Sequence, residues 1–188
     1  MPEPLWKPSP ERVAGTRLTQ YMRMVNEQYG HSFESFDDLY RWSVDHVDEF
    51  WQSIWNLSGI VHSKPYTTIL SGTEMFGTKW FRGARLNFAQ NQLRYRDDHT
   101  AIIAQSENQP ARRITYEELY AEVAACARGL RSLGVKSGDR VVGYITNIPE
   151  AIIAMLATTS IGAIWSSGSP DFGFKGAYDR FGQIAPKI

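Results

Sequence analysis

The residues best suited to chemistry lie at positions 165–173, where the sequence reads WSSGSPDFG. Serine hydroxyls and the Asp171 carboxylate can hydrogen-bond a ligand, and the small residues let a ligand approach the backbone. The segment follows a short apolar run of strand character at residues 163–165 and precedes a predicted helix. In open α/β sheets ligands bind outside the carboxyl ends of the strands, so this position favours a binding site. The same residues also fit an ordinary strand-to-helix connection in which Ser and Asp cap the helix.

Other reactive side chains are arranged less favourably. Neither common glycine-rich phosphate-binding pattern, GxGxxG or GxxxxGK[ST], is present in the sequence. The four histidines, His31, His46, His62 and His99, lack the i, i+4 spacing of helical metal ligands, which argues against a metal site. Cys126 falls on the apolar stripe of a predicted helix, so we interpret it as a packed thiol rather than a nucleophile.

The composition indicates a soluble globular protein of one large or two small domains, with 43% hydrophobic and 21% charged residues among 188. Lys and Arg total 20, as do Asp and Glu, so the chain lacks the basic field that binds nucleic acid or an anionic membrane. The longest apolar run, residues 151–157, is far shorter than the roughly 20 residues of a membrane span. The amino terminus lacks the order of a signal peptide, and a single cysteine allows no disulfide within one chain. We therefore expect a cytoplasmic protein.

The elements that position these residues fall into two parts, with a predicted boundary near residues 97–99. Residues 1–98 are expected to form a helical extension, opening with a proline-rich, extended arm over residues 2–11. Helical spacing predicts one helix that ends at Gly30, a second that begins after Ser35 and a third that ends at Gly59. A short fourth helix is predicted over residues 85–95.

Residues 99–188 are expected to begin an α/β domain with a hairpin of strands at residues 101–104 and 113–115. Thr115 and Glu118 then form a capping box, which starts a helix whose core face includes Leu119, Cys126 and Leu133.

The last predicted elements are those of a parallel sheet. Residues 141–145 predict a strand buried on both faces, and Pro149 is typical of the first position of the helix that follows. A further strand at 163–165, a helix over residues 173–183 and the start of another strand at 186–188 complete the pattern.

The sequence of residues 148–173, IPEAIIAMLATTSIGAIWSSGSPDFG, resembles sequences of the acyl-CoA synthetases of the adenylate-forming superfamily. Within that superfamily, residues 165–173 are similar to the acetoacetyl-CoA synthetases. Residues 80–89, WFRGARLNFA, are similar to the end of the family's amino-terminal extension. The resemblance covers nearly the whole chain. It implies an α/β fold in which a helical amino-terminal extension packs on the first βα units of an adenylate-forming synthetase large domain, leaving an incomplete parallel sheet.

The resemblance also implies a two-step ligase that uses ATP, magnesium and CoA. The acid, acetoacetate or another short-chain acid, would attack the α-phosphate of ATP, and the CoA thiol would then displace AMP. The family's phosphate loop, nucleotide contacts and catalytic lysine lie downstream of this segment, so we expect these 188 residues to be inactive alone, to contain no catalytic residue and to hold no tightly bound cofactor. The resemblance places Ser169, Pro170 and Asp171 on a turn that faces CoA.

Two other readings remain open. The chain is alternatively part of an acetyl- or propionyl-CoA synthetase, or it is a truncated, non-catalytic binding or interaction module. A parallel sheet cut in its middle exposes backbone donors and acceptors along one edge, so we expect the 188-residue chain by itself to self-associate or to be marginally stable.

Overall fold

A computed structural model describes residues 5–188, which form two compact units. The first unit contains the described residues up to Ile60 together with Tyr66–Gly83, and the second contains Val61–Pro65 and Ala84–Ile188. The predicted domain boundary at residues 97–99 stays a prediction. None of the described helices combines the length and the apolar character that a bilayer crossing needs.

The residues of the first unit that the structure describes form four helices and a hairpin. Their bounds are α1 Pro10–Ala14, α2 Arg17–Tyr29, α3 Phe36–Asp45, α4 Val47–Ser58, β1 Thr68–Ser71 and β2 Lys79–Arg82. The second unit begins with a short helix and an antiparallel hairpin and continues as alternating helices and strands. Its elements are α5 Phe88–Gln92, β3 Thr100–Ser106, β4 Gln109–Thr115, α6 Tyr116–Ser132, β5 Arg140–Tyr144, α7 Pro149–Ser160, β6 Ile164–Gly168, a 3₁₀ turn Pro170–Phe172 and α8 Gly173–Gly182.

The three long helices of the first unit start and stop where local chemistry predicts. Gly30 ends α2 with φ at 71°, a left-handed conformation that residues with a Cβ rarely adopt. Ser35 caps α3 and forms a capping box with Asp38. The helices enclose a core of four buried side chains, Tyr21, Val25, Leu39 and Trp42.

Two features of the first unit differ from expectation. The β1–β2 hairpin is not predicted, because each strand has only four residues and its side chains are exposed or half-buried, which leaves little alternation to detect. The arm predicted over residues 2–11 turns helical at Pro10, where Ser9 caps α1. Residues 1–4 of that arm lie outside the described residues.

The hairpin and α6 of the second unit confirm the predicted capping box. The Thr115 hydroxyl accepts from the Glu118 backbone N–H at 3.1 Å, and the Glu118 carboxylate accepts from the Thr115 N–H at 2.8 Å. The core stripe is partly wrong, because Leu133 is 65% exposed and Ala127 is buried instead. Leu133 lies one residue past the end of α6, so the helical period no longer directs its side chain inward. The predicted fourth helix is also shorter, since only Phe88–Gln92 is helical.

The parallel arrangement of β5 and β6 is confirmed, with Arg140 paired to Ile164 and Tyr144 paired to Gly168. Pro149 begins α7 between them. The end of the chain runs beside β5, where the Lys187 N–H donates to the Arg140 carbonyl at 2.8 Å. Burial of β5 on both faces is wrong, because Tyr144 is 46% exposed. Val141 is buried in a small core with Val135 and Ala163, whereas the two ends of the strand, Arg140 and Tyr144, are exposed.

Candidate functional site

The candidate site lies where the two parallel strands end. Tyr144 and Gly168 are the last residues of β5 and β6 and are paired in register, so the segments that follow leave from the same edge. The segment after β6 forms the 3₁₀ turn and then α8. This edge is the position at which open α/β sheets bind ligands.

The three residues predicted to face CoA lie together in the turn after β6. The Ser169 hydroxyl donates to the Asp171 carboxylate at 2.7 Å and accepts, at 3.4 Å, from the Asp171 backbone N–H. The Tyr144 hydroxyl donates to the Pro170 carbonyl at 2.8 Å and so fixes the turn to the end of β5. Ser169 and Pro170 are half-buried and Asp171 is exposed, so the turn is open to solvent.

The sequence also allowed Ser and Asp of this turn to cap the following helix, and only Ser169 acts as a cap. Ser169 caps the 3₁₀ turn, whereas α8 begins after Phe172 without a side-chain cap, so Asp171 does not cap that helix. The small residue at Gly168 has a packing role: a Cβ there would lie 3.2 Å from the Phe181 ring. The absence of a side chain at Gly168 therefore leaves space for the Phe181 ring of α8.

An apolar groove of about 480 Å³ lies beside the turn. Its lining residues are Tyr144, Phe174, Ala177, Tyr178, Phe181, Gly182 and Pro186. The Phe174 and Tyr178 rings stack with centroids 6.1 Å apart and are 83% and 70% exposed. The Arg180 guanidinium lies 4.0 Å from the centre of the Phe172 ring. Tyr144 and these α8 aromatics were not predicted as site residues; a tyrosine at the carboxyl end of the apolar run 141–145 is the signal that could have indicated one of them.

The groups with perturbed pKa values lie elsewhere and have structural causes. The Ser35 hydroxyl lowers the pKa of Asp38 at the start of α3. The Lys187 ammonium donates to the Asp139 carboxylate at 2.9 Å, and this hydrogen bond lowers the pKa of Asp139. Burial raises the pKa of the Cys126 thiol, in agreement with a packed role. These groups act as a cap, an ion pair and a packed side chain.

The described residues contain no cluster of three or more His, Cys, Asp or Glu side chains that could hold a metal ion. His99 pairs with the nearby Asp97.

Asn87, within the matched segment 80–89, connects two helices of the second unit. Its side chain accepts from the Gln90 N–H at 3.0 Å as the N-cap of α5, and its amide donates to the Thr159 carbonyl at the end of α7 at 2.8 Å. Asn87 therefore hydrogen-bonds to the backbone of both helices. Its neighbours Leu86 and Phe88 are about half exposed.

Comparison with known proteins identifies the relatives of this chain. Residues 36–92 match a family described as the acetyl-coenzyme A synthetase N-terminus, and residues 88–175 match the AMP-binding enzyme family. Acetoacetyl-CoA synthetase from Macaca fascicularis is 44% identical over 98% of this chain, and its counterpart from Rhizobium meliloti is 40% identical over 98%. A solved acetoacetyl-CoA synthetase from Streptomyces lividans superposes on 98% of the chain with a TM-score of 0.91 and 41% identity. The chain is homologous to acetoacetyl-CoA synthetases.

These acetoacetyl-CoA synthetases are much longer than the chain, which spans 28% of each of the two curated relatives and 29% of the Streptomyces protein. The match confirms the family resemblance and the α/β fold class read from residues 80–89 and 148–173. The two family matches overlap at residues 88–92, which form α5.

Proposed function

We propose that this chain is the amino-terminal part of an acid–thiol ligase that makes acetoacetyl-CoA. Acetoacetate and ATP would give acetoacetyl-adenylate and pyrophosphate, and the CoA thiol would then form the thioester and release AMP and a proton. The observation that carries the proposal is the similarity to the Streptomyces lividans acetoacetyl-CoA synthetase, at 41% identity over 98% of the chain. We propose a cytoplasmic location, where ATP and CoA are available.

Adenylation needs hydrogen-bond donors around the α-phosphate and a cation across the polyphosphate, because negative charge accumulates there in the transition state. The described residues supply no cluster of metal ligands, and the sequence has no glycine-rich phosphate motif of the common types. We therefore expect residues 1–188 to be inactive alone, with ATP and magnesium held by other parts of the enzyme.

Within that enzyme, we propose that the turn of Ser169, Pro170 and Asp171 faces CoA. Its support is the open position at the ends of β5 and β6 and the hydrogen bond from Tyr144 that fixes it. The Asp171 carboxylate suits a hydroxyl or amide donor of CoA and disfavours direct contact with a phosphate, because like charges repel.

The test is a chimera in which this chain replaces the matching segment of the Streptomyces lividans enzyme. We expect the chimera to catalyse acetoacetate-dependent ATP–pyrophosphate exchange and thioester formation, and the isolated chain to show only the no-protein blank. A chimera that folds, by circular dichroism and thermal melting, yet shows no exchange would contradict the proposed ligase. ATP–pyrophosphate exchange by the isolated chain would contradict the expectation that other parts of the enzyme hold ATP and magnesium.

The turn is tested in the same chimera with Ser169→Ala and Asp171→Ala, with Asp179→Ala on the exposed surface of α8 as the matched control. If the turn contacts CoA, the first two variants raise the KM for CoA and leave the exchange reaction, which does not need CoA, unchanged. An unchanged KM for CoA in both would remove these residues from the site.

A ligase for another short acid is the second candidate. Malonamoyl-CoA synthetase from Penicillium aethiopicum is 39% identical over 99% of the chain, only slightly less than the acetoacetyl-CoA synthetases. Rates with acetoacetate, malonamate, acetate and propionate, measured on a longer protein that contains this chain, distinguish the acids. Sequencing the gene past the codon for Ile188 tests the remaining reading, a binding module: a stop codon there would favour it over both ligases.

A further inference from the structure

The Pro170 carbonyl, in the turn after β6, accepts two hydrogen bonds. The Gly173 N–H donates one of them, from the residue that follows the turn. The Tyr144 hydroxyl donates the other, at 2.8 Å, from the end of β5. A carbonyl oxygen has two lone pairs, so it accepts both donors at once. The turn is therefore attached by a side chain to a strand that lies 26 positions earlier in the sequence.

The other hydrogen bonds of the turn are local. The Ser169 hydroxyl bonds the carboxylate and the backbone N–H of Asp171, and the Phe172 N–H donates to the Ser169 carbonyl at 3.2 Å. These bonds join residues two or three positions apart, so they give the turn its shape but do not orient it against the sheet. Within the part of the chain that the structure describes, the Tyr144 hydroxyl makes the one hydrogen bond from a neighbouring strand to residues 169–172.

Packing and hydrogen bonding are separate in the Tyr144 side chain. Its ring lines the apolar groove together with Phe181 and Pro186. Tyr144 is the last residue of β5 and is paired in register with Gly168, so the parallel ladder sets the place of its backbone. Phenylalanine at this position keeps the ring and the ladder and removes only the hydroxyl. The substitution therefore tests the bond to the turn by itself.

We propose that Tyr144 is a positioning residue for CoA and that it acts by holding the Pro170 carbonyl. The inference rests on the proposed function, in which the turn of Ser169, Pro170 and Asp171 faces CoA. Asp171 is exposed and Ser169 is only half-buried, so packing alone does not hold their side chains in one place. With the Tyr144 bond in place, CoA meets a turn that is already ordered, and the entropy cost of ordering the turn does not weaken binding.

Tyr144→Phe in the Streptomyces lividans chimera tests the proposal. Loss of one hydrogen bond of ordinary strength changes an equilibrium constant about fivefold, so we expect the KM for CoA to rise about fivefold. ATP–pyrophosphate exchange, which does not need CoA, should stay unchanged, whereas a general loss of folding would lower both reactions together. Tyr120→Phe on α6 is the matched control, because it removes the same hydroxyl and keeps the ring that lies under the Arg96 guanidinium. The KM for CoA should not change in this control.

Hydrogen exchange of the Gly173 amide in the same chimera provides a second measurement, since this N–H shares its acceptor with the Tyr144 hydroxyl. A loosened turn should speed this amide exchange in Tyr144→Phe and not in Tyr120→Phe. A raised KM for CoA without faster exchange at Gly173 would overturn the proposal, because the hydroxyl would then act on CoA by another route.

The remaining outcomes separate this inference from the proposed function. An unchanged KM for CoA in Tyr144→Phe would overturn the positioning role, and so would a parallel loss of ATP–pyrophosphate exchange and thioester formation. If Ser169→Ala and Asp171→Ala raise the KM while Tyr144→Phe does not, the positioning role alone fails. If all three variants leave the KM unchanged, the proposed contact of the turn with CoA fails as well.

Discussion

Replacing Asn87 tests the connection between α5 and α7 quantitatively. The half-buried side chain caps α5 at the Gln90 N–H, and its amide donates to the end of α7, to the Thr159 carbonyl at 2.8 Å and more weakly to the Ser160 carbonyl at 3.5 Å. Loss of an N-cap costs about 1 kcal/mol, and loss of a typical hydrogen bond costs a further ~1 kcal/mol. The Thr159 carbonyl still accepts from the Gly162 and Ile161 N–H groups, so no buried acceptor is left unpaired.

We therefore expect Asn87→Ala to lower the free energy of unfolding of the second unit by about 2 kcal/mol. Asn87→Ser keeps the cap and loses only the bonds to the end of α7, so it should cost about half as much. Because the chain has two compact units, native-state hydrogen exchange of the α7 amides is a more specific measurement than a whole-chain unfolding curve.

Two results would refute this reasoning. If Asn87→Ala changed the α7 opening free energy by less than ~0.5 kcal/mol, neither contact would matter to stability. If Asn87→Ser cost as much as Asn87→Ala, the cap would contribute nothing, and the measured loss would belong to the contact with α7 alone.

Two further predictions concern packing and charge in the second unit. Gly143→Ala would place a methyl group 2.5 Å from the indole of the paired strand, which should cost about 1–3 kcal/mol. Gly129→Ala in α6 adds a methyl group with nothing within 4 Å of it, so it should raise the free energy of unfolding by about 0.5–1 kcal/mol. The melting temperature should therefore fall in Gly143→Ala and rise in Gly129→Ala. Shifts of the same sign in the two variants would contradict these predictions. Because Lys187 lowers the pKa of Asp139 in the folded chain, the stability contributed by Asp139 is present above its ordinary pKa and is lost as the pH falls through the lowered one. In Lys187→Met this acid-side loss of stability should shrink, measured as the urea midpoint against pH; an unchanged profile would show that the pair does not contribute.

The elements that could be predicted from sequence are those with strong local signals. Ser35 and Thr115 start helices through capping boxes, because their hydroxyls accept from backbone N–H groups of the first turn. Gly30 and Gly59 end helices, because glycine readily adopts the left-handed conformation found there. The parallel pairing of β5 and β6 followed from an apolar strand, a proline-initiated helix and a second apolar strand.

The errors arise where tertiary context decides. Leu133 has the spacing of a core residue but lies beyond the last turn of α6. Tyr144, at the end of its strand, lines an open groove beside α8 and stays 46% exposed. The turn of Ser169 to Asp171 was located from sequence, yet its attachment through Tyr144 was not, because a hydrogen bond between residues 26 positions apart has no local signature.

The junction at Thr115 constrains how the second unit can change. This residue is paired with Thr100 as the last position of β4 and is also the N-cap of α6, so no linker separates the strand from the helix. Deleting one residue there would turn the helix by about 100° and exchange the two faces of the strand. An insertion or deletion is therefore expected to be tolerated better at residues 107–108, the tip of the hairpin where the chain reverses direction.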